Sequence, residues 1–324
     1  MNGRQALKYF VYAAVLGGIG FFFYRAFEKN WDKVAAHQFK LDYVALALAL
    51  FTLVATYIVS MYGWHRSINA LSRGPQLTIS QSLAAVNSSN LTKYLPGKVW
   101  SYAFQLYWLS GAGFSKALIT YVNVINLAIS IVTTLIAGFF LLLFNPGKLG
   151  FGATLAALVG VVVADLVAVK FHAPLIRFGL SQLGRLLKRE LTYFEPPPRV
   201  WLELHAAHLA AAFTFGLAAY FTSLAIGYSL PLSQAPLVMA ALLIADLVGF
   251  VAIFVPGGLG VREGFMYVML GGAGSGSLAL TLPLAIRMLN MVVDLGLGGL
   301  ALHLSRGFAR AKPGAPPPPQ EIPT

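Results

Sequence analysis

Long apolar stretches separated by short polar ones run the length of the chain. Runs of near-membrane length fall at roughly 7–24, 43–63, 117–143, 151–170, 201–227, 237–255 and 278–303. About 20 apolar residues in a helix cross a bilayer's hydrocarbon core of ~30 Å, so each run predicts a transmembrane helix. A shorter run follows Arg262 to about Gly271. Two regions interrupt the pattern. Residues 78–110 are moderately apolar but broken by Asn87, Asn90, Pro96 and Gly97, and residues 256–264 form the Gly-rich turn PGGLGVREG. The pattern predicts an all-α polytopic membrane protein of about seven to eight transmembrane helices, with one or two re-entrant or broken helices. The first run is expected to be a retained span. It is long for a signal-peptide core, and its flank Arg25-Ala26-Phe27 has no small-x-small cleavage pattern.

The basic residues then orient these elements. Arg4 and Lys8 precede the first run, and Arg66, Arg73, Lys93, Lys98 and Lys116 lie between the second and third without an intervening acid. Lys170, Arg177, Arg185, Lys188, Arg189 and Arg199 follow the fourth, and Arg306, Arg310 and Lys312 follow the last. On the other side Arg25, Lys29, Lys33 and Lys40 are diluted by Glu28, Asp32 and Asp42, and Lys148 stands alone later. The bias puts both termini in the cytoplasm, which requires an even number of crossings. The run 237–255 must then return through the short segment after Arg262, or the two form a re-entrant pair. Residues 174–190 carry Ile176, Leu180, Leu183 and Leu187 on one helical stripe and Arg177, Arg185 and Lys188 on another side. That pattern fits an interfacial helix and equally an ordinary cytoplasmic connector. The organisation expected is a membrane domain over 1–310, with breaks at 84–100 and 246–264. A disordered Pro-rich cytoplasmic tail is expected over 311–324.

Composition sharpens the class. The 324 residues are 58% hydrophobic and 10% charged, with a mean hydropathy of +0.72, so there is too little charge to cover a water-facing surface. The net charge of +12 fits basic loops beside anionic headgroups, and no Lys/Arg-rich soluble module exists to bind nucleic acid. With no cysteine, disulfides, thiolate catalysis and cysteine-ligated metal are excluded. His205 and His208 lack a third ligand, so neither a metal nor a cofactor is expected.

The chemistry-bearing features gather at the breaks. Tyr94-Leu95-Pro96-Gly97-Lys98 and Val255-Pro256-Gly257-Gly258-Leu259-Gly260-Val261-Arg262-Glu263 each set Pro-Gly after an aliphatic residue and a cation soon after. Non-helical backbone survives at membrane depth only where protein buries it or a wet cavity receives it. Paired Gly/Pro interruptions in the two halves of a chain point to a transporter-like site, although two unrelated edge turns fit as well.

The same residues carry a family resemblance. "NLTKYLPGKVWSY" (90–102) and "VPGGLGVREGF" (255–265) resemble the signature segments of the lysylphosphatidylglycerol synthase transmembrane-region family. The likeness extends over roughly residues 5–305. The resemblance implies a flippase-like membrane region, hence lipid handling or translocation. The family's bifunctional members attach an amino acid to lipid through a separate soluble domain. Only a short tail follows the last run here, so aminoacyl transfer is not expected of this chain.

A phosphate-bearing headgroup crossing hydrocarbon needs cations and a wet path. The candidate cations are Lys93, Lys98, Arg262 and Arg287. Arg287, Asn290 and Asp294 share a helix face at i, i+3 and i+7, which Gly298 extends. A functional cavity and an ion pair of Arg287 with Asp294, Asp246 or Glu263 both fit this face. Asn123, Asn126, Ser130 and Thr134 form a second polar stripe, suited either to lining the cavity or to gluing helices. The candidate lipid-binding set is therefore Lys93, Pro96, Gly97, Lys98, Asn123, Asn126, Asp246, Pro256, Gly257, Gly258, Arg262, Glu263, Arg287, Asn290 and Asp294.

Three functions compete. The first is a lipid flippase or transporter of the cytoplasmic (inner) membrane, with membrane lipids as partners and no catalysis. The second is an intramembrane transferase or hydrolase on a lipid-linked substrate, with Glu263, Asp246 or Asp294 as base. The third is a subunit in contact with an envelope-biogenesis partner. Gly17, Gly18 and Gly20 allow close helix contacts in a homo-oligomer.

Overall fold

The computed structural model describes residues 39–91, 100–145, 147–187, 193–252, 260–270 and 276–305. Ten α-helices lie among the described residues, and no strand does: α1 (Tyr43–Leu71), α2 (Ile79–Leu91), α3 (Trp100–Gly111), α4 (Lys116–Leu142), α5 (Gly150–Lys170), α6 (His172–Leu187), α7 (Pro198–Ala225), α8 (Ala235–Val251), α9 (Val261–Leu270) and α10 (Gly276–Ser305). Six segments are long and apolar enough to cross a membrane: α1, α4, α5, α7, α10 and the stretch Leu232–Val251 that contains α8. They coincide with six of the seven long runs. The chain is an all-α, multi-pass membrane protein. The run at 7–24 and the tail 311–324 lie outside the described residues.

Four helices are too short to cross. α2 has 13 residues, α3 has 12 and α9 has 10, and at 1.5 Å per residue each reaches about 15–20 Å, roughly half the hydrocarbon thickness. α2 packs against α3, and α8 packs against α9. Each break is thus flanked by a pair of helices in mutual contact. α9 by itself, at ten residues, is shorter than a bilayer crossing. The fourth short helix, α6, has 16 residues.

The chain divides into two compact units. One comprises the described residues up to Val59, with Ser130–Val167 and His208–Val293. Its core joins Ala137, Leu141, Ala212, Tyr220, Met239, Ala240 and Leu243. Small residues permit close approach there: a Cβ on Gly138 would lie 2.9 Å from Ile244, and one on Gly216 3.0 Å from Met239. The other unit comprises Ser60–Ile129, Ala168–Ala207 and the described residues from Asp294. Its core is built on Trp64, Ile68, Leu109, Ile119, Val122, Ile125 and Leu204. Polar glue supplements these contacts, as expected where lipid removes the hydrophobic incentive for helices to associate. Trp64 Nε1 donates to Asn123 Oδ1 at 2.9 Å, and Asn126 Nδ2 donates to Ser67 Oγ at 2.9 Å, so two bonds tie α1 to α4.

Candidate functional site

The first unit collects four ionisable side chains on three helices. α8 is apolar except for Asp246, about one and a half turns before its C-terminus. α9 opens with Arg262 and Glu263. Gly260 adopts φ +82°, a left-handed conformation that glycine enters without a Cβ penalty, and its carbonyl accepts the first helical bond from Gly264. Glu263 then reaches back and accepts the Gly260 N–H on Oε2 at 2.7 Å. This is the carboxylate half of a capping box, and it sets a negative charge at the positive end of α9.

Two cations complete the cluster. Arg262 Nη1 lies 2.8 Å from Asp246 Oδ1, an ion pair that crosses from α9 to α8. The Arg262 side chain is only 13% exposed, whereas Asp246 is half-exposed. Nε and Nη2 of Arg262 are buried and have no hydrogen-bond partner among the described residues. These two nitrogens form one edge of the guanidinium, the edge whose parallel N–H bonds match two oxygens of a phosphate or carboxylate. Arg287, the twelfth of thirty residues in α10, places Nη1 3.7 Å from Oε1 of the buried Glu263. That distance makes an ion pair without a hydrogen bond. Pro283 lies four residues before Arg287 and has no N–H, so the Ala279 carbonyl lacks its helical donor.

Of the fifteen candidates, Asp246, Arg262, Glu263 and Arg287 come together here. Asp246 pairs with Arg262 and Glu263 with Arg287, so the acid on Arg287 is the last of the three considered. Asn290 lies one turn beyond Arg287 on the same helix and is half-buried. Asp294 is buried in the second unit. Asn123 and Asn126 are also buried in that unit, and there they serve the α1–α4 bonds. Lys93, Pro96, Gly97, Lys98, Pro256, Gly257 and Gly258 lie outside the described residues, as do the centres of both breaks.

Sequence reasoning missed a second ionic cluster. Arg66 grips Glu203 bidentately, through Nε at 2.9 Å and Nη2 at 3.1 Å, and Arg199 adds a bond of 2.8 Å to the same carboxylate. The i, i+4 spacing of Arg199 and Glu203 was the one signal available. This triad ties α1 to the first turns of α7 within the second unit.

The chain matches the family model described as Lysylphosphatidylglycerol synthase TM region over residues 9–298. No curated protein matches it.

Proposed function

The chain belongs to the lysylphosphatidylglycerol synthase transmembrane-region family, and from that premise we propose that it moves a phosphate-bearing lipid across the cytoplasmic membrane past Arg262. The observation that carries the reading is the buried Nε–Nη2 edge of Arg262, which has no hydrogen-bond partner among the described residues. Buried donors are nearly always satisfied, and a guanidinium edge in a lipid-handling protein fits two phosphate oxygens. Asp246 holds the third nitrogen and so aims the fork. Arg287 supplies a second cation on α10.

Transport is favoured over catalysis because the acids nearest the fork are engaged. Glu263 accepts from Gly260 and faces Arg287, and Asp246 is paired with Arg262. Neither is placed as a free general base.

The test is purified protein in vesicles, with labelled phospholipids followed from leaflet to leaflet and lipid products analysed in parallel. Arg262→Lys keeps the charge and loses the fork, so it is expected to slow transport; Arg262→Gln is expected to reduce it at least about tenfold, the equivalent of ~1.4 kcal/mol. A well-folded Arg262→Gln protein with unchanged transport refutes the phosphate-fork role. A new lipid product that depends on Glu263 or Asp246 selects the enzyme instead.

A further inference from the structure

α6 begins at His172, two residues after α5 ends at Lys170. α5 has 21 apolar-rich residues and reaches about 32 Å, the full hydrocarbon thickness. α7, another span, starts at Pro198. Residues 171–197 therefore join two candidate spans, with α6 as the first element of that connection.

Two faces of α6 are apolar. The inner one places Ile176 against the second unit's core. Beside it the Arg177 guanidinium sits 4.7 Å over the Tyr193 ring. Burial, with a smaller push from Glu195, raises the Tyr193 hydroxyl above its ordinary range. The phenol therefore stays neutral beneath the Arg177 guanidinium. The outer face carries Leu175 and Phe178, 53% and 66% exposed, with Phe171, 47% exposed, immediately before the helix. Their spacings of four and three residues put them within about 60° of one another around the helix. Lys170 precedes this stripe, with Nζ 5.6 Å from the Phe171 ring centre, and the exposed Arg185 lies near its far end. No acid occurs from Phe171 to Leu187.

We propose that α6 lies in the plane of the membrane surface as a binding helix for anionic lipid. Phe171, Leu175 and Phe178 enter the monolayer, and Lys170 and Arg185 engage headgroup phosphates. An apolar stripe flanked by cations only is the pattern of interfacial helices on anionic membranes, whose headgroups attract surface cations. The same all-basic rim disfavours a second copy of this face, because its like charges would oppose one another. This inference does not depend on the transport reading.

The absence of native cysteine allows a direct experiment. Phe178→Cys in the full chain is labelled with a small fluorophore, and Leu175→Cys serves as the independent second site. Each is placed in nanodiscs of mixed phosphatidylglycerol and phosphatidylcholine, with bromine quencher on one lipid or the other. Brominated phosphatidylglycerol is expected to quench more than brominated phosphatidylcholine, by about twofold or more. Lys170→Gln with Arg185→Gln removes the preference and leaves quenching itself. No quenching by either lipid at both sites overturns the proposal, as does equal quenching by both in the parent. Efficient crosslinking of two copies through Phe178→Cys would assign the face to a second chain and also overturn it.

Discussion

Arg287 shows how distance separates structural from functional charge. Its pair with Glu263 is 3.7 Å long and its side chain is 39% exposed, so the contact is weak, and the Glu263 carboxylate keeps its bond from the Gly260 N–H when Arg287 is removed. A second cation on a lipid path, by contrast, acts on every passing phosphate. Arg287→Gln is therefore expected to keep the thermal stability of the detergent-purified protein within a few degrees while transport falls severalfold. Loss of expression and of several degrees or more of melting temperature, restored by a compensating change at Glu263, would make Arg287 a structural partner. The four charges of this cluster were legible as candidates because cations and acids are rare in apolar runs. Their pairing was not. Asp246 to Arg262 and Glu263 to Arg287 are choices among partners on three helices, and helix packing makes them.

Among the elements, length and apolarity carried most of the information. Six long runs are helices, five of them with ends within four residues of those expected, because membrane thickness leaves little freedom in span length, while α1 runs eight residues further, to Leu71. Polar stripes were harder to read. Asn123 and Asn126 fit a cavity wall and a helix seam equally in sequence, since both roles demand polar groups on one face. Asn126 Nδ2 spends its donors on Ser67 Oγ and on the Val122 carbonyl. Asn126→Val is expected to cost about 1 kcal/mol of stability and to leave the transport rate of the folded fraction unchanged. A folded Asn126→Val protein with selectively abolished transport would return that residue to the lipid path. The outer stripe of α6 escaped detection for a similar reason. Ile176 and Leu180 already satisfied the expectation of one apolar face, and a second face shows only once the first is packed.

For the whole molecule, topology is the open quantity that the helices now constrain. α9 has ten residues, fewer than a crossing needs, and an even count follows if α8 and α9 enter and leave on one side and the run at 7–24 crosses. A reporter fused after Ala309 is then expected to be active only in its cytoplasmic form, and one fused after Lys148 only in its external form. External activity after Ala309 would reverse the orientation drawn from the Lys/Arg bias. One contact links these scales. A Cβ on Gly298 would come within 2.5–2.7 Å of the Leu91 side chain, so α10 meets the last residue of α2 with no spare room. Leu91 stands at the threshold of the first break, and Arg287 rides the same rod three turns earlier. Gly298 is therefore a pivot: in that half of α10 any turn of the helix is felt first at Leu91.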